Sequence, residues 1–585
     1  MHRALQASGS PASRQRITDR EVKLESHESG EVALAATFAV GVALIAAGCG
    51  GGGNSSGGSG SSTGSTSTTS STGKTFPDFR IAYDTGIDYL DPSLSYTVQG
   101  WSILWNVYLP LLGYKHVNGP DGATLVPYLA KDLPKVSADG KTYTFTLRSG
   151  LKYSNGTPVK ASDFPKTIER DYAVNSPGVG FFGNIVGTDS IAKTGKGTIS
   201  GIQANDSTGT ITIHLKQPEG DFEYVMATEF AALVPPNSPK KDSSTNPLPS
   251  TGPYMIQSYK PNKSVLIVRN PHFDASMFGG NVPSGNPDKI TIDVLGDAGV
   301  ALTRTLKGQD DYDFYQPPND RLSELQSKYS NQIKVYTPAN TFYYFMNTRE
   351  APFNNLKVRQ AVNYAINREA LVRIYGGLAT PTENVLPPTY PQYKKLNLYP
   401  YNVAKAKSLI KAAGATGAKV TIWTDDNESR RAPEAGQYLQ GVLNQIGMKA
   451  TLKEIHAAVY WTTVGNQATH AQIGFADWFQ DYPHPLDWFD VLLNGNRITQ
   501  THNNNYANFD DPTVNAKIEA LKKEPTLTAS VNSQWAGVDK AVMQQAPWAP
   551  YINQQGIDTF NSDMDLSCYV FNVNYQFDFA TICKK

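Results

Sequence analysis

The hydrophobic period of this 585-residue chain changes near Thr341 and changes back close to its end. From Phe76 to about Pro338 apolar and polar residues alternate. "KTYTFTLR" and "GTITIHLK" read as strands with one buried face, "YMIQSYK" and "SVLIVRN" flank a "PNK" turn as a hairpin, and "KITIDVL" is a further strand. Asp139-Gly140, Asn155-Gly156 and Pro120-Asp-Gly122 mark turns between them. Beyond Thr341 helix and strand alternate. Helical spacing runs from Asn355 to Tyr375, from Asn402 to Ala413 and from Ala432 to Ile446, the last two stopped by Gly414 and Gly447. "KVTIWT", "KATLKEI" and "AQIGFADW" are strands in this part, and further helices are expected near 457–467, 512–522 and 530–545. "APYINQQGIDTF" then turns β-like again. A chain of this length exceeds what one core usually holds. The pattern therefore predicts an α/β protein of two lobes: a first over 76–340, a second over 341–546, and a tail, 547–585, returning to the first.

The front of the chain is of another kind. Val32 to Ala47 is an apolar run of 16 residues, short of the roughly 20 a membrane span needs. It ends in "AAGC", small residues directly before Cys49, the shape of an export signal with its cleavage site. A cysteine at that point resembles the bacterial lipoprotein signal, in which it carries lipid, although Ala46 stands where that signal usually has Leu. The preceding part mixes five basic residues with five acidic ones, which points to a translation start further on, near Val22. Gly50 to Gly73 has no apolar residue and cannot build a core. As a flexible coil it spans roughly 25–30 Å, a tether between a lipid anchor at Cys49 and a folded body. Residues 1–48 are thus expected as signal segment and 49–75 as anchor and tether.

Composition removes several function classes. Lys and Arg number 52 and Asp and Glu 52, which argues for neither a nucleic-acid partner nor an acidic surface. Cys568 and Cys583 either pair or remain two separate buried thiols, and with no Cys/His cluster no structural metal is expected. Gly53-Asn-Ser-Ser-Gly57 matches the nucleophile-elbow pattern, but it lies in a tract that can supply neither the strand nor the helix such an elbow needs. Gly178 to Gly183 matches GxGxxG without a preceding apolar strand. No catalytic residue and no cofactor are expected.

Five segments, in order, resemble one family. They are "YLDPSLSYTVQGWSILWNVYLPLLGY", "ADGKTYTFTLRSGLKYSNGTPVKASDF", "STGPYMIQSYKPNKSVLIVRNPHF", "TFYYFMNTREAPFNNLKVRQAVNYAINREAL" and "DWFQDYPHPLDWF". Together they are similar to the extracytoplasmic solute-binding proteins of peptide-type ABC importers, the oligopeptide- and dipeptide-binding proteins of solute-binding family 5. The resemblance implies a two-lobed periplasmic-binding-protein clamp, type II-like, with a hinge of crossing strands and an extra β-rich subdomain in the first lobe. Ligand is held between the lobes, and closure about a hinge is a known mode of such proteins. The partners implied are a membrane permease and its ATPase. The protein is expected as an exported monomer on the outer face of the cytoplasmic membrane.

The resemblance also assigns residues. Asp481, just beyond a strand end, matches the aspartate that pairs with a peptide's ammonium, and ligands of open sheets do sit at such ends. Trp478 and Tyr482 flank it with rings suited to a ligand's apolar parts. Trp488 and Phe489 are expected in the core. Of Arg430 and Arg431, Arg431 is favoured for a ligand carboxylate. Tyr96, Thr97 and Val98 match the first-lobe segment that meets the peptide main chain. Two departures stand in the cleft loop: Asp477 where the family frequently has Gly, and His484 where it frequently has Asp. They leave open a non-peptide solute, such as an oligosaccharide or a metal chelate. A secreted hydrolase using Asp481 and Asp487 as a carboxylate pair is a more remote alternative.

Overall fold

The computed structural model of the protein describes residues 75–585 other than 84, 85, 315, 428, 429, 573 and 575, and at 458 and 576 the backbone only. The export segment, Cys49 and most of the Gly/Ser/Thr tract lie outside the described residues.

Two sheets organise the chain. The first has seven strands in the spatial order Ile333–Tyr336, Gly556–Phe560, Tyr312–Asp313, Phe79–Tyr83, Lys289–Val294, Ser264–Arg269 and Tyr254–Lys260. The last two form the hairpin expected from "PNK". Asn262 sits in that turn at φ 56°, a left-handed conformation that Asn tolerates well. A four-stranded sheet of Lys135–Val136, Thr142–Thr146, Thr210–His214 and Ile202–Asn205 builds the extra β-rich part of the first lobe. In Thr142–Thr146 and Thr210–His214, Tyr143, Phe145, Ile211 and Ile213 are buried, as strict alternation requires. The second large sheet runs Ala379–Pro381, Trp548–Gln554, Asn340–Met346, Ile473–Phe479, Lys419–Asp425 and Lys449–Ile455. Each large sheet carries its own hydrophobic core.

The chain passes between the sheets twice, from Tyr336 to Asn340 and from Gln554 to Gly556. Near these crossings Tyr336 pairs with Gly556, and a Cβ on Gly556 would lie 2.2 Å from the Tyr336 ring. Only glycine lets the two crossing strands approach so closely. The return falls at Gly556 and not at 547: Trp548–Gln554 pairs with Asn340–Met346 inside the second sheet. The helical stretch from Asn355 also differs from expectation. It forms two helices, Leu356–Ala365 and Arg368–Ile374, because Ile366 turns to extended backbone and Asn367 caps the second with its side chain. Near the chain's end Cys568 and Cys583 are joined, their Cα atoms 5.8 Å apart.

Candidate functional site

One strand end and one loop face each other across the cleft between the lobes. Ile473–Phe479 lies between Asn340–Met346 and Lys419–Asp425. Its start is tightly packed: a Cβ on Gly474 would sit 2.7 Å from both the Phe345 ring and the Trp423 carbonyl oxygen. Its other end delivers Asp477, Trp478 and Phe479 to the cleft, followed by Gln480 and Asp481. From the first lobe comes the loop before helix Val98–Leu104. The Asp88 carboxylate accepts hydrogen bonds from the Ser95 hydroxyl, the Tyr96 amide and the Thr97 hydroxyl. Thr97 in turn accepts the Gly100 amide and caps the helix. This frame holds the Tyr96 ring against Trp101 and Phe230, at centroid distances of 5.8 and 5.4 Å.

Two cavities share the walls Tyr96, Thr97, Val98, Arg430 and Phe479. One, of about 340 Å³, runs along Asp477, Trp478 and Asp481 towards Trp461 and Tyr506. The other, of about 260 Å³, runs towards Phe314, Tyr336 and Phe342 near the crossing strands.

Asp481 sits at the seam. It is only 8% exposed, and the Tyr96 hydroxyl donates to its Oδ2 at 2.6 Å across the lobes. Burial pushes its carboxyl up to about 7, while the Tyr96 hydrogen bond pulls the other way. Behind it Asp487 accepts the Trp478 indole N–H and the Asp481 amide on one oxygen. Asp487 is fully buried, and burial together with the neighbouring Asp481 charge raises it far above the usual carboxylate range. By accepting both N–H groups it orients Trp478 and the Asp481 backbone.

The other expected residues divide. Tyr96, Thr97, Val98, Trp478 and Asp481 come together around the larger cavity. Tyr482 does not line either cavity. Its ring packs with the first-lobe residues Phe181 and Tyr224, and its hydroxyl donates to Asp221 at 2.7 Å. Arg431 faces away as well, into a separate recess with Tyr375, and pairs with Glu434 at 3.6 Å. Its neighbour Arg430 lines both cavities, with Nε 3.6 Å from Asp477 and the guanidinium 5.4 Å from the centre of the Trp461 ring. His484 is buried behind the loop between Tyr224 and Trp535. Its Nδ1 accepts the Leu486 amide, and burial lowers its pKa to about 3, so it is neutral. Trp488 and Phe489 are wholly buried in the second core. Away from the cavities the lobes also touch where the Gly220 amide donates to the Lys522 carbonyl at 2.8 Å and where Lys522 pairs with Glu219 at 3.3 Å. At the cavity rim the Gln480 side-chain amide donates to the Asn574 side-chain oxygen.

Residues 124–500 match the family model of bacterial extracellular solute-binding proteins, family 5 Middle, which is more than half of the chain. The chain belongs to this family. It is a solute-binding protein of the class that serves ABC importers. The glutathione-binding protein GsiB of Shigella dysenteriae is 26% identical over 442 residues, covering 73% of this chain and 81% of that protein. Among solved structures, the clavulanic acid biosynthesis oligopeptide binding protein 2 has a TM-score of 0.80 at 24% identity, over 87% of this chain and 96% of that one. The periplasmic binding protein DppA of Helicobacter pylori, solved with the peptide STSA, has a TM-score of 0.72 at 21% identity, over 87% and 98%. These likenesses show the two-lobed clamp. Among the described residues no helix is long and apolar enough to cross a membrane.

Proposed function

We propose that this protein captures a short peptide or peptide-like amine between its lobes and delivers it to an ABC permease, while a lipid on Cys49 and the tether over 49–75 hold it at the membrane as a monomer. The observation that carries the ligand reading is Asp481. It is a buried carboxylate in the wall of the larger cavity, partnered by a hydroxyl of the opposite lobe. A ligand ammonium entering there gains a charge-assisted hydrogen bond in a site that closure shields from water. Trp478 and Tyr96 supply the flanking rings, and Thr97 and Val98 the adjoining first-lobe wall. GsiB, by its name, binds glutathione, and DppA was solved with a tetrapeptide, STSA, which supports a peptide-like ligand here. Asp487 lies behind Trp478 and lines neither cavity, so it and Asp481 do not flank a common space as a hydrolase pair would.

Intrinsic tryptophan fluorescence against a peptide panel tests this, with Trp101, Trp461 and Trp478 lining the larger cavity as reporters. Saturable quenching or enhancement by peptides with a free amino end, weakened by roughly 2–5 kcal/mol in Asp481→Ala, is the expected result. Unchanged affinity in that variant removes the role given to Asp481. Radiolabelled lipid incorporation, lost in Cys49→Ser, tests the anchor.

A further inference from the structure

The charges of the cleft do not complement a zwitterion. Among the described residues, Arg430, Asp477 and Asp481 are the formally charged side chains around the larger cavity, and Arg430 is the one around the smaller. Arg430 is already committed. Asp477 lies 3.6 Å from it, and Asp425, at the end of the neighbouring strand, also feels its charge. Both carboxylates are more than nine-tenths buried. Burial raises both, and Arg430 pulls both back down. Arg430 thus pairs with Asp477 and acts on Asp425 through its charge. Asp481 has the Tyr96 hydroxyl as partner and no cation among the described residues.

We propose that the cleft takes a cationic ligand, with an ammonium for Asp481 and no free carboxylate for Arg430, and that Asp477 sets this preference by occupying Arg430. The inference rests on the amine-binding role proposed for Asp481 and narrows its ligand class. A ligand carboxylate at Arg430 would come against Asp477 and Asp425, and like charges brought together away from water repel strongly. The smaller cavity offers the rings of Phe314, Tyr336, Phe342 and Phe479 and the amides of Gln316 and Gln554. Those surfaces suit an uncharged, apolar or aromatic tail.

The test is titration calorimetry of the full chain with matched pairs at about pH 7.5: Leu-Tyr amide against Leu-Tyr with its free carboxylate, and tyramine against tyrosine. The amide and tyramine are expected to bind at least tenfold more tightly than their acid counterparts. Asp477→Asn is expected to shrink each ratio at least tenfold, and an unchanged ratio in that variant, correctly folded, overturns the role of Asp477. Should the variant fail to fold, the wild-type ratios alone decide the charge preference. Equal or tighter binding of the free-acid peptide overturns the inference and leaves the peptide reading standing. Silence of both peptides with tyramine preferred over tyrosine removes the peptide reading and upholds the inference. Silence of all four overturns both.

Discussion

Amine binding at Asp481 is expected to be coupled to loss of a proton. Burial pushes that carboxyl up to about 7. An ammonium pairs with the carboxylate and not with the neutral acid. About half of the sites are then ionised at about pH 7 and ~1% at about pH 5. The observed affinity should fall about 50-fold over that interval, ~2.3 kcal/mol. Above about pH 8 a ligand α-amino group loses its own charge, so the profile is bell-shaped. Calorimetry in two buffers of different ionisation heat measures the proton released at each pH. Asp221 and Asp558 are also pushed up to about 7, so the control is Asp481→Asn, which should flatten the acid limb while leaving those groups in place. The stability of the unliganded protein runs the opposite way. The folded pKa lies above the ordinary 3.8, so the contribution of Asp481 is fully present at low pH and is lost as pH rises through about 7. Pairing with an ammonium removes that loss, and the rise in Tm caused by ligand should grow across the same interval. A flat affinity between about pH 5 and pH 7, or an acid limb that persists in Asp481→Asn, refutes the reasoning.

Four further outcomes are expected. Tyr96→Phe removes the hydroxyl that holds Asp481 down, so the acid limb of the affinity profile should move to higher pH, and ligand-free closure measured by small-angle scattering should weaken with the loss of that cross-lobe bond. Thr97→Ala removes the cap of helix Val98–Leu104 and should cost about 0.5–2 kcal/mol in denaturant melts. Gly474→Ala drives a methyl into the Phe345 ring and the Trp423 carbonyl, an overpacking of about 1–3 kcal/mol that a lowered Tm would register. Cys583→Ser opens a closure between residues 15 positions apart, for which the chain-entropy scale gives about 3 kcal/mol, readable as a fall in Tm relative to the oxidised protein.

Much of the fold was legible because it rests on local period. The hairpin at Tyr254–Lys260 and Ser264–Arg269 and the capped helix Val403–Ala412 follow from turn and cap residues a few positions apart. The point of return to the first sheet was not legible. Trp548–Gln554 and Gly556–Phe560 read as one β-like stretch, and only long-range pairing assigns them to different sheets. Within the site, Asp481 could be singled out through the family resemblance of its loop, whereas Phe314, Tyr336, Trp461 and Tyr506 reach the cavities from distant segments whose local pattern resembles ordinary core.

The two arginines show most clearly why side-chain direction is harder to read than element position. Arg430 and Arg431 are consecutive, in a segment between the strand Lys419–Asp425 and the helix Ala432–Gln445. In a strand they would face opposite ways and in a helix they would diverge by a fixed angle, so either regular element would permit a choice. Neither applies, because Arg431 adopts φ 55°, a left-handed conformation uncommon for a residue with a side chain. That turn starts the helix at Ala432 and sends Arg431 towards Glu434, leaving Arg430 to face the cleft. The same turn brings Arg430 to Asp477, where the family frequently has glycine. A residue that looked like a departure in a loop thereby becomes the partner of the one cationic side chain lining the cavities among the described residues. In the proposed reading the charge a ligand must bring is set by that pair together with Asp481, and neither the pair nor its geometry follows from the spacing of the residues along the chain.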